Sequence, residues 1–342
     1  MNNNDCGEIW LLIDSRQFGG IETHVAQLAA GLLAHQQPVR VLMICQYAIP
    51  SPLCCKLETL GVPYQYLGDT DYRGLRNLIR LIKSHSPIAL HAHGYKANLI
   101  AKVAKLSTGS LLLSTYHAGE SPRGRVWLYD WLDRTSAAIA EHALVVSRAI
   151  GEKVPSPTHY LENFIDVENV DISQGKNIAF VGRLSAEKAP ERFVRLADKF
   201  PQQLFHLYGT GCLASSLQES AAPNVRFYGH QTEMSTVWSE ISLLVICSHY
   251  EGLPMVALEA MARGIVVIST AVGEMPQLID HQQNGFIAQN EQQLNDCLAL
   301  WLSLSPDKQN QLRINAINTI QQRHSQQVVI PKLLKLYLSN NS

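Results

Sequence analysis

Two glutamates stand out within an apolar part of the sequence. Glu251 follows the apolar run Leu243–Cys247, and Glu259 lies eight positions later, ahead of the apolar run Ile265–Ile268. The pattern predicts a strand, a polar loop, a helix with Pro254 at its first position, and a second strand. Because helical side chains lean toward the start of their helix, Glu259 is expected to face the same loop as Glu251. Carboxylates at the end of a strand beside a helix start suggest a ligand rich in hydroxyls and phosphate.

Cations and glycines suited to phosphate occur in similar positions. Arg183 and Lys188 follow the predicted strand Asn177–Val181. At the carboxyl end of a strand they can grip a diphosphate, although exposed pairs of this kind often have no such role. Gly19 and Gly20 follow the first strand and open a helix, where the backbone can approach an anion closely. The alternative for these glycines is an ordinary strand–helix turn.

Histidines end two neighbouring strands of the predicted first sheet. The sequence has 13 histidines, among them His91 and His117 at the ends of the predicted strands Ile88–His91 and Leu111–Tyr116. A neutral imidazole is available near pH 7, which makes His117 a candidate site residue. For His91 we expect a structural role.

Two further motifs suggest other chemistry. Gly209-Thr210-Gly211 follows a strand and opens a helix, as in a dinucleotide fingerprint, which favours a nicotinamide enzyme. The next strand, however, ends at Phe227–His230 without the expected carboxylate, so a glycine-rich turn near a nucleotide is the preferred interpretation. Asp69-Thr70-Asp71 has the D-x-D form of some manganese sites. We expect Asp71 to be the N-cap of a helix starting at Arg73, and we predict no metal.

Apolar strands alternate with helices along nearly the whole chain. This alternation predicts an α/β protein with parallel sheets covered on both faces. It breaks at Pro155–Pro157 and over the polar stretch Leu161–Gly175, and then restarts. At 342 residues the chain has the length of two domains, and the cleft between them is the expected ligand site.

The composition excludes several classes of protein. A net charge of −1 argues against general nucleic-acid binding. Seven cysteines without metal-ligand spacing are typical of reduced thiols in a cytosolic protein. The N-terminus lacks a signal core, and no apolar run reaches about 18 residues, so no membrane span is predicted.

One segment of the first half has an unusual charge pattern. From Arg73 to Gly119 there are seven basic residues and no acidic one. These helix faces fit either ordinary solvated surface or contact with an anionic membrane, at about 1 kcal/mol per basic residue near the surface. The expected location is cytoplasmic, and with membrane contact it is peripheral at the inner face of the membrane.

Together these motifs resemble the retaining glycosyltransferases of family 4, which have the two-domain, double-Rossmann architecture called GT-B. The resemblance covers almost the whole chain, although Phe164 stands where the family more often has glycine. The matching segments are Gly19–Glu22, Asn163–Asp166, Val181–Lys188, Glu251–Gly264 and Val272–Pro276.

The resemblance implies domain boundaries and a substrate for each domain. Residues 1–165 would form the acceptor domain and residues 166–320 the donor domain, each Rossmann-like, facing one another across a cleft. Residues 321–342 would form a helix packing back on the first domain. The donor would be a nucleoside-diphosphate sugar, with no cofactor and no metal. The base, the sugar and the linkage stay open.

The same resemblance assigns roles to individual residues. Arg183 and Lys188 would neutralise the diphosphate, and Glu259 would hold the ribose hydroxyls. The sugar would contact the catalytic-site residues His117 and Glu251. The remaining donor-binding groups would be Gly19, Gly20 and the backbone of Gly252, Leu253 and Pro254.

The predicted function is transfer of a sugar to a lipid-linked saccharide in surface polysaccharide or lipopolysaccharide synthesis. Three alternatives remain: the same fold with a soluble acceptor, a nicotinamide-dependent oxidoreductase, or a non-catalytic protein that binds nucleotide sugars. No nucleic-acid partner is expected.

Overall fold

The computed structural model describes residues 7–117, 125–168 and 170–339. Among them the chain divides into two compact units. The first contains the residues up to Phe164 together with those from Gln326 onward, and the second is Ile165–Ser325. The chain therefore enters the second unit one residue before the position expected from the sequence, and leaves it five residues after.

The first unit contains a parallel sheet of seven strands in the order β3-β2-β1-β4-β5-β6-β7. Each apolar stretch predicted to be a strand forms one, and β7 is additional. The strands are β1 (Ile9–Ile13), β2 (Val39–Cys45), β3 (Tyr64–Gly68), β4 (Ala89–His93), β5 (Leu112–Tyr116), β6 (His142–Val145) and β7 (Thr158–Tyr160).

Helices cover both faces of this sheet. They are α1 (Gly20–Ala34), α2 (Pro52–Thr59), α3 (Asp71–His85), α4 (Tyr95–Thr108), α5 (Arg125–Thr135), α6 (Arg148–Gly151) and, from the end of the chain, α14 (Gln326–Tyr337). A short 3₁₀ helix, Ala137–Ile139, follows α5. Helices α1, α2 and α14 share one core with the sheet, and α3 and α4 share another on the opposite face.

The second unit repeats the plan with a parallel sheet of six strands, in the order β10-β9-β8-β11-β12-β13. Its strands are β8 (Asn177–Val181), β9 (Phe205–Tyr208), β10 (Val225–Gly229), β11 (Ile241–Ile246), β12 (Val266–Thr270) and β13 (Phe286–Ala288). Its helices are α7 (Pro190–Lys199), α8 (Ala214–Ser220), α9 (Met234–Glu240), α10 (Met255–Ala262), α11 (Met275–Leu278), α12 (Glu291–Ser303) and α13 (Pro306–Arg323).

Both sheets have the doubly wound strand order, which confirms the predicted α/β class. In each sheet the chain leaves its first strand in one direction and returns on the other side, so β1 lies beside β4 and β8 beside β11. In open parallel sheets, ligands bind beyond the carboxyl ends of the strands at such a switch point.

The sequence-based elements differ from the structure in a few places. The sequence pattern predicts a helix over Glu187–Phe200, but α7 begins at Pro190, because proline fits the first turn and Ala189, with φ of 47°, does not continue a helix backward. The predicted helix Trp127–Ala140 is split at Thr135. Strand β7 follows the prolines that suggested a break, at the edge of the sheet, where proline is tolerated.

The acid-free segment does not form a uniformly basic surface. Carboxylates from outside it reach four of its seven cations, in the pairs Arg73–Asp69, Lys96 with Asp14 and Asp71, Lys102–Asp133 and Lys105–Glu141. On the exposed side of α3, Arg76, Arg80 and Lys83 have no carboxylate partner among the described residues. No helix in the described part of the chain is both long and apolar enough to cross a membrane.

Candidate active site

The switch point of the second sheet collects most of the predicted donor-binding residues. Arg183 and Lys188 follow β8, and Ser248 and Glu251 follow β11. Because β8 and β11 are paired and parallel, their carboxyl ends open onto the same edge. Two segments far apart in sequence are thereby brought together.

Lys188 and Glu251 form the centre of this site. The Lys188 ammonium donates to Glu251 Oε1 at 2.5 Å, and the Ser248 hydroxyl donates to the same oxygen at 2.6 Å. The Glu251 side chain is 9% exposed and that of Lys188 is 24% exposed. At such a place the ammonium can donate to an anionic ligand while the carboxylate accepts a hydrogen bond from a hydroxyl. The sequence predicted roles for both residues but not their contact.

The backbone after Glu251 is fixed by a second loop. Gly252 accepts a hydrogen bond from the Glu274 N–H at 2.9 Å. Gly273 has a φ of +52°, and a Cβ there would lie 2.1 Å from the Gly252 oxygen, so only glycine fits. Pro254 immediately precedes α10 instead of occupying its first position, a correction of one residue.

Arg183 and Glu259 lie outside the Lys188–Glu251 contact. The Arg183 guanidinium is 70% exposed and lies 3.6 Å from Glu187. Glu259 is half-buried in the middle of α10, and its backbone oxygen accepts a hydrogen bond from Arg263 at 2.8 Å. Leu253 is buried, so its side chain does not face a ligand.

The glycines of the dinucleotide-like motif have a packing role. A Cβ on Gly209 would lie 1.8 Å from the Gly182 oxygen, and one on Gly211 would lie 2.2 Å from the Leu184 oxygen. Leu184 also donates its N–H to Thr210 at 2.9 Å. These glycines allow two neighbouring loops to pack backbone to backbone, which accounts for the motif without a dinucleotide.

The first switch point carries Gly19 and Gly20 at the start of α1. Both are exposed, and a Cβ on Gly20 would meet no atom within 4 Å. Neither has a positive φ, so packing and backbone geometry do not require glycine at Gly20. Glu22 already accepts a hydrogen bond from the Gly19 N–H at 3.0 Å, so that donor is occupied.

His117 belongs to a cluster of four imidazoles in the first unit. Its Nε2 lies 3.1 Å from His93 Nδ1, and the His24 ring centre is 5.2 Å away. His91 completes the cluster, with its ring centre 4.2 Å from that of His93. His91 is buried and bonded to Tyr337 and Thr115, both at 2.6 Å, which confirms its structural role.

Burial lowers the pKa of every histidine in this cluster. It lowers the pKa of His24 to about 4, and it holds the pKa values of His91, His93 and His117 well below their ordinary value. Repulsion between neighbouring imidazoles lowers the last three further. The cluster is therefore neutral near pH 7.

The D-x-D segment forms a helix start, with a change in the capping residue. Thr70 is the N-cap of α3 and accepts from the Arg73 N–H at 3.3 Å, while Asp71 is the first helical residue. Asp71 instead pairs with Lys96 at 2.6 Å, and Asp69 with Arg73. Within the described ranges, no three His, Cys, Asp or Glu side chains are placed to hold a metal ion.

Sequence reasoning missed Ser248, His24 and His93. Ser248 lies three positions before Glu251, just after the end of a strand, and this position is a sequence signal for a site residue. His93 is two residues after His91, so strand alternation places both rings on one face of the sheet. Nothing in the sequence of α1 indicates that His24 joins them.

Two family matches cover most of the chain. Residues 164–319 match the glycosyl transferases group 1 family, and residues 19–156 match the glycosyl transferase 4-like domain. This chain belongs to the group 1 glycosyltransferases. The resemblance stated from the motifs is thereby confirmed at the level of a group 1 glycosyltransferase.

Similar proteins support the same fold. The chain is 34% identical over 115 residues to the O-antigen biosynthesis glycosyltransferase WbnH of Escherichia coli, covering 33% of each protein. The aligned part thus spans about a third of that relative. Among solved structures, HepE of Anabaena with UDP and glucose has a TM-score of 0.83 at 16% identity, covering 97% of this chain and 100% of that one. Sucrose-phosphate synthase of Thermosynechococcus elongatus has a TM-score of 0.78 at 18% identity, covering 97% and 98%. The fold is the predicted GT-B fold.

Proposed function

We propose that this chain transfers a sugar from a uridine diphosphate sugar to a lipid-linked saccharide, with retention of configuration and without a metal ion. The observation that carries the proposal is the contact of Lys188, Ser248 and Glu251 at the switch point of the second sheet. The uridine base is suggested by HepE, a protein of similar fold crystallised with UDP-glucose. The acceptor class is suggested by the O-antigen relatives.

In this proposal the cations act on the leaving group. Departure of a nucleoside diphosphate builds negative charge, which Lys188 and Arg183 stabilise in place of a metal ion. For Arg183 this requires exchanging its weak contact with Glu187 for the diphosphate. Lys188 is already held at the edge of the sheet by Glu251, so it needs little reorganisation.

The carboxylates and His117 act on the sugars. Glu251 accepts hydrogen bonds from donor-sugar hydroxyls, Glu259 binds the ribose, and His117 orients the sugar. The sugar passes through an oxocarbenium-like state, and the acceptor attacks from the face that the diphosphate leaves. No covalent nucleophile is assigned.

A donor assay tests this site directly. Purified protein is heated with UDP, GDP and a panel of their sugars, because a ligand of the folded state raises the melting temperature. We expect a rise with UDP and one UDP-sugar, and a much smaller rise for Lys188→Ala.

Transfer of radiolabelled sugar is then compared for wild type, Lys188→Ala and Glu259→Ala, with and without EDTA. Equal transfer in both variants would contradict the assigned site, and loss with EDTA would contradict metal independence.

For the acceptor, the outer surface of α5 supports contact with an anionic bilayer. The inner side of this helix is polar, since Asp133 pairs with Lys102 at 2.6 Å and Asp130 with Arg134. Five of the residues exposed on the described part of this helix are instead large and apolar: Trp127, Leu128, Tyr129, Trp131 and Leu132. An inverted arrangement of this kind leaves tryptophan and tyrosine at the surface, where a membrane interface stabilises them.

Neighbouring helices extend this surface. Val103 and Leu106 of α4 are exposed, the latter by 74%, and α4 packs against both α3 and α5. On α3, the exposed residues Arg76, Arg80 and Lys83 add positive charge at helical spacing. Apolar aromatic groups beside basic side chains fit an anionic lipid surface better than a neutral one. The basic segment noticed in the sequence thus contributes three cations rather than seven.

Vesicle co-sedimentation tests this part of the proposal independently of catalysis. We expect binding to phosphatidylglycerol vesicles and little binding to phosphatidylcholine vesicles at the same salt concentration. Trp127→Ser with Trp131→Ser should abolish binding, whereas Ile172→Ser, an exposed residue of the second unit, should not. Absence of binding by the wild type, with transfer to a soluble sugar instead, would favour the soluble-acceptor alternative that sucrose-phosphate synthase represents.

A further inference from the structure

The imidazole cluster contains a hydrogen bond whose direction is determined by its surroundings. His93 Nδ1 and His117 Nε2 lie 3.1 Å apart, and each neutral ring carries a single N–H. One ring must donate and the other accept. Which ring donates decides which nitrogen of His117 carries its proton.

The surroundings of His24, in the same cluster, show which of its two ring nitrogens carries the proton. Its Nδ1 lies 3.0 Å from the Asn163 side-chain oxygen, which is an acceptor, so the proton of His24 belongs on Nδ1. The other nitrogen, Nε2, is buried without a hydrogen-bond partner among the described residues. It is therefore a bare lone pair rather than an N–H.

His93 is in the same situation. Its side chain is 2% exposed, and its Nε2 is also buried with no partner in the described part of the chain. A buried N–H without an acceptor is the rarer and costlier arrangement, whereas an unused acceptor is better tolerated. The proton of His93 accordingly lies on Nδ1, and this N–H donates a hydrogen bond to His117 Nε2.

We infer that His93 is a positioning residue, which fixes His117 as the tautomer with its proton on Nδ1. His117 Nε2 accepts from His93, so the ring offers an N–H from Nδ1. His117 is only half-buried, unlike the other three rings. A neutral N–H donor suits a hydroxyl or a developing oxyanion of a saccharide, and with Nε2 occupied His117 does not act as a base at that atom. The use of this donor in catalysis rests on the proposed function, but the tautomer does not.

Nitrogen NMR of the histidine side chains tests the tautomer without substrate. Long-range proton–nitrogen spectra of ¹⁵N-histidine protein at pH 7 distinguish the two tautomers, and the His117→Asn spectrum assigns the signal. We expect the proton of His117 on Nδ1 in the wild type. A proton on Nε2 would overturn the inference, whatever the outcome of the activity assays.

Two variants separate positioning from packing. His93→Asn keeps an N–H donor near the position of Nδ1, and His93→Leu removes it. We expect His93→Leu to move the His117 proton toward Nε2 and to lower kcat for donor turnover about tenfold with little change in KM. His93→Asn should restore the tautomer and most of kcat, and the exposed-site control His159→Asn should change neither.

If His93→Leu and His93→Asn leave the same His117 tautomer, the inference is wrong. If the tautomers behave as expected but the wild type binds no donor, only the proposed function fails.

Discussion

The first unit keeps its site histidines buried and neutral, whereas the second keeps Lys188 and Glu251 charged and closer to solvent. In the first, His24, His91 and His93 are almost completely covered, and their pKa values are lowered. In the second, the ion pair lies at the open edge of a sheet. Removing one partner of a polar contact inside a core leaves the other partner buried and unpaired, which strongly destabilises the fold. Groups at a sheet edge can be removed with less damage, so function and stability should be separable there.

The largest effect is expected from the buried ion pair of the first unit. Lys102 and Asp133 are 3% and 2% exposed and lie 2.6 Å apart, and Lys102 also donates to Tyr116 at 3.1 Å. Lys102→Met leaves an unpaired buried carboxylate and should lower the free energy of unfolding by about 3–5 kcal/mol, measured by urea denaturation. Lys102→Met with Asp133→Leu should recover most of that loss. A single-variant loss below about 1 kcal/mol would contradict this view of the first unit.

Removal of the Lys188 side chain from the second unit should affect turnover more than stability. Lys188→Ala should lower kcat for donor turnover by about 10²–10³-fold, as for other electrostatic donors. It should lower the free energy of unfolding by less than Lys102→Met does, because Lys188 and Glu251 are more exposed than Lys102 and Asp133. The matched control is Lys199→Ala, which removes an exposed lysine from the same unit. A stability loss as large as that of Lys102→Met would remove the contrast between the units.

Acid should destabilise the first unit through its histidines. The folded-state pKa of His24 is about 4 against an ordinary value of 6.5, so its contribution is present above pH 6.5 and is lost as the pH falls toward 4. Between pH 7 and pH 5 this histidine alone should cost about 2 kcal/mol of unfolding free energy. His24→Asn should remove that part of the pH dependence, and His159→Asn should not. Equal pH dependence in all three proteins would contradict a neutral cluster.

The smallest effect is expected at the exposed pair of the second unit. Arg183 and Glu187 lie 3.6 Å apart, and a backbone hydrogen bond is the main cause that lowers the Glu187 pKa. Glu187→Gln should change the unfolding free energy by less than about 0.5 kcal/mol. It should also lower KM for the donor about twofold, because Arg183 no longer has a competing carboxylate. A higher KM would indicate that Glu187 itself contacts the donor.

Sequence patterns predicted the elements better than the contacts between them. The strands Val39–Cys45 and Asn177–Val181 occur as predicted, because a continuous apolar run bounded by polar residues has few other solutions. The positions of Arg183, Lys188 and Glu251 at strand ends followed from the same alternation. The Lys188–Glu251 contact did not, since it depends on β8 and β11 being neighbours.

Burial was the hardest property to predict from composition. Lys102 belongs to a segment without acidic residues, yet it is among the least exposed lysines, because Asp133 reaches it from a later helix. The sequence of α5 likewise does not indicate that its large apolar residues face outward. In both cases burial depends on how the helix packs against the rest of the unit, and local periodicity carries no information about that packing.

The return of α14 to the first unit has a consequence for the order of folding during synthesis. Val329, Ile330, Leu333 and Tyr337 complete a core whose other members are translated before residue 165. Residues 165–325 form a unit of their own that can fold as soon as it has emerged from the ribosome. The half of the protein that is made first is therefore the half that is finished last, and the hydroxyl of Tyr337 reaches His91 only after residues 165–325 have been synthesised.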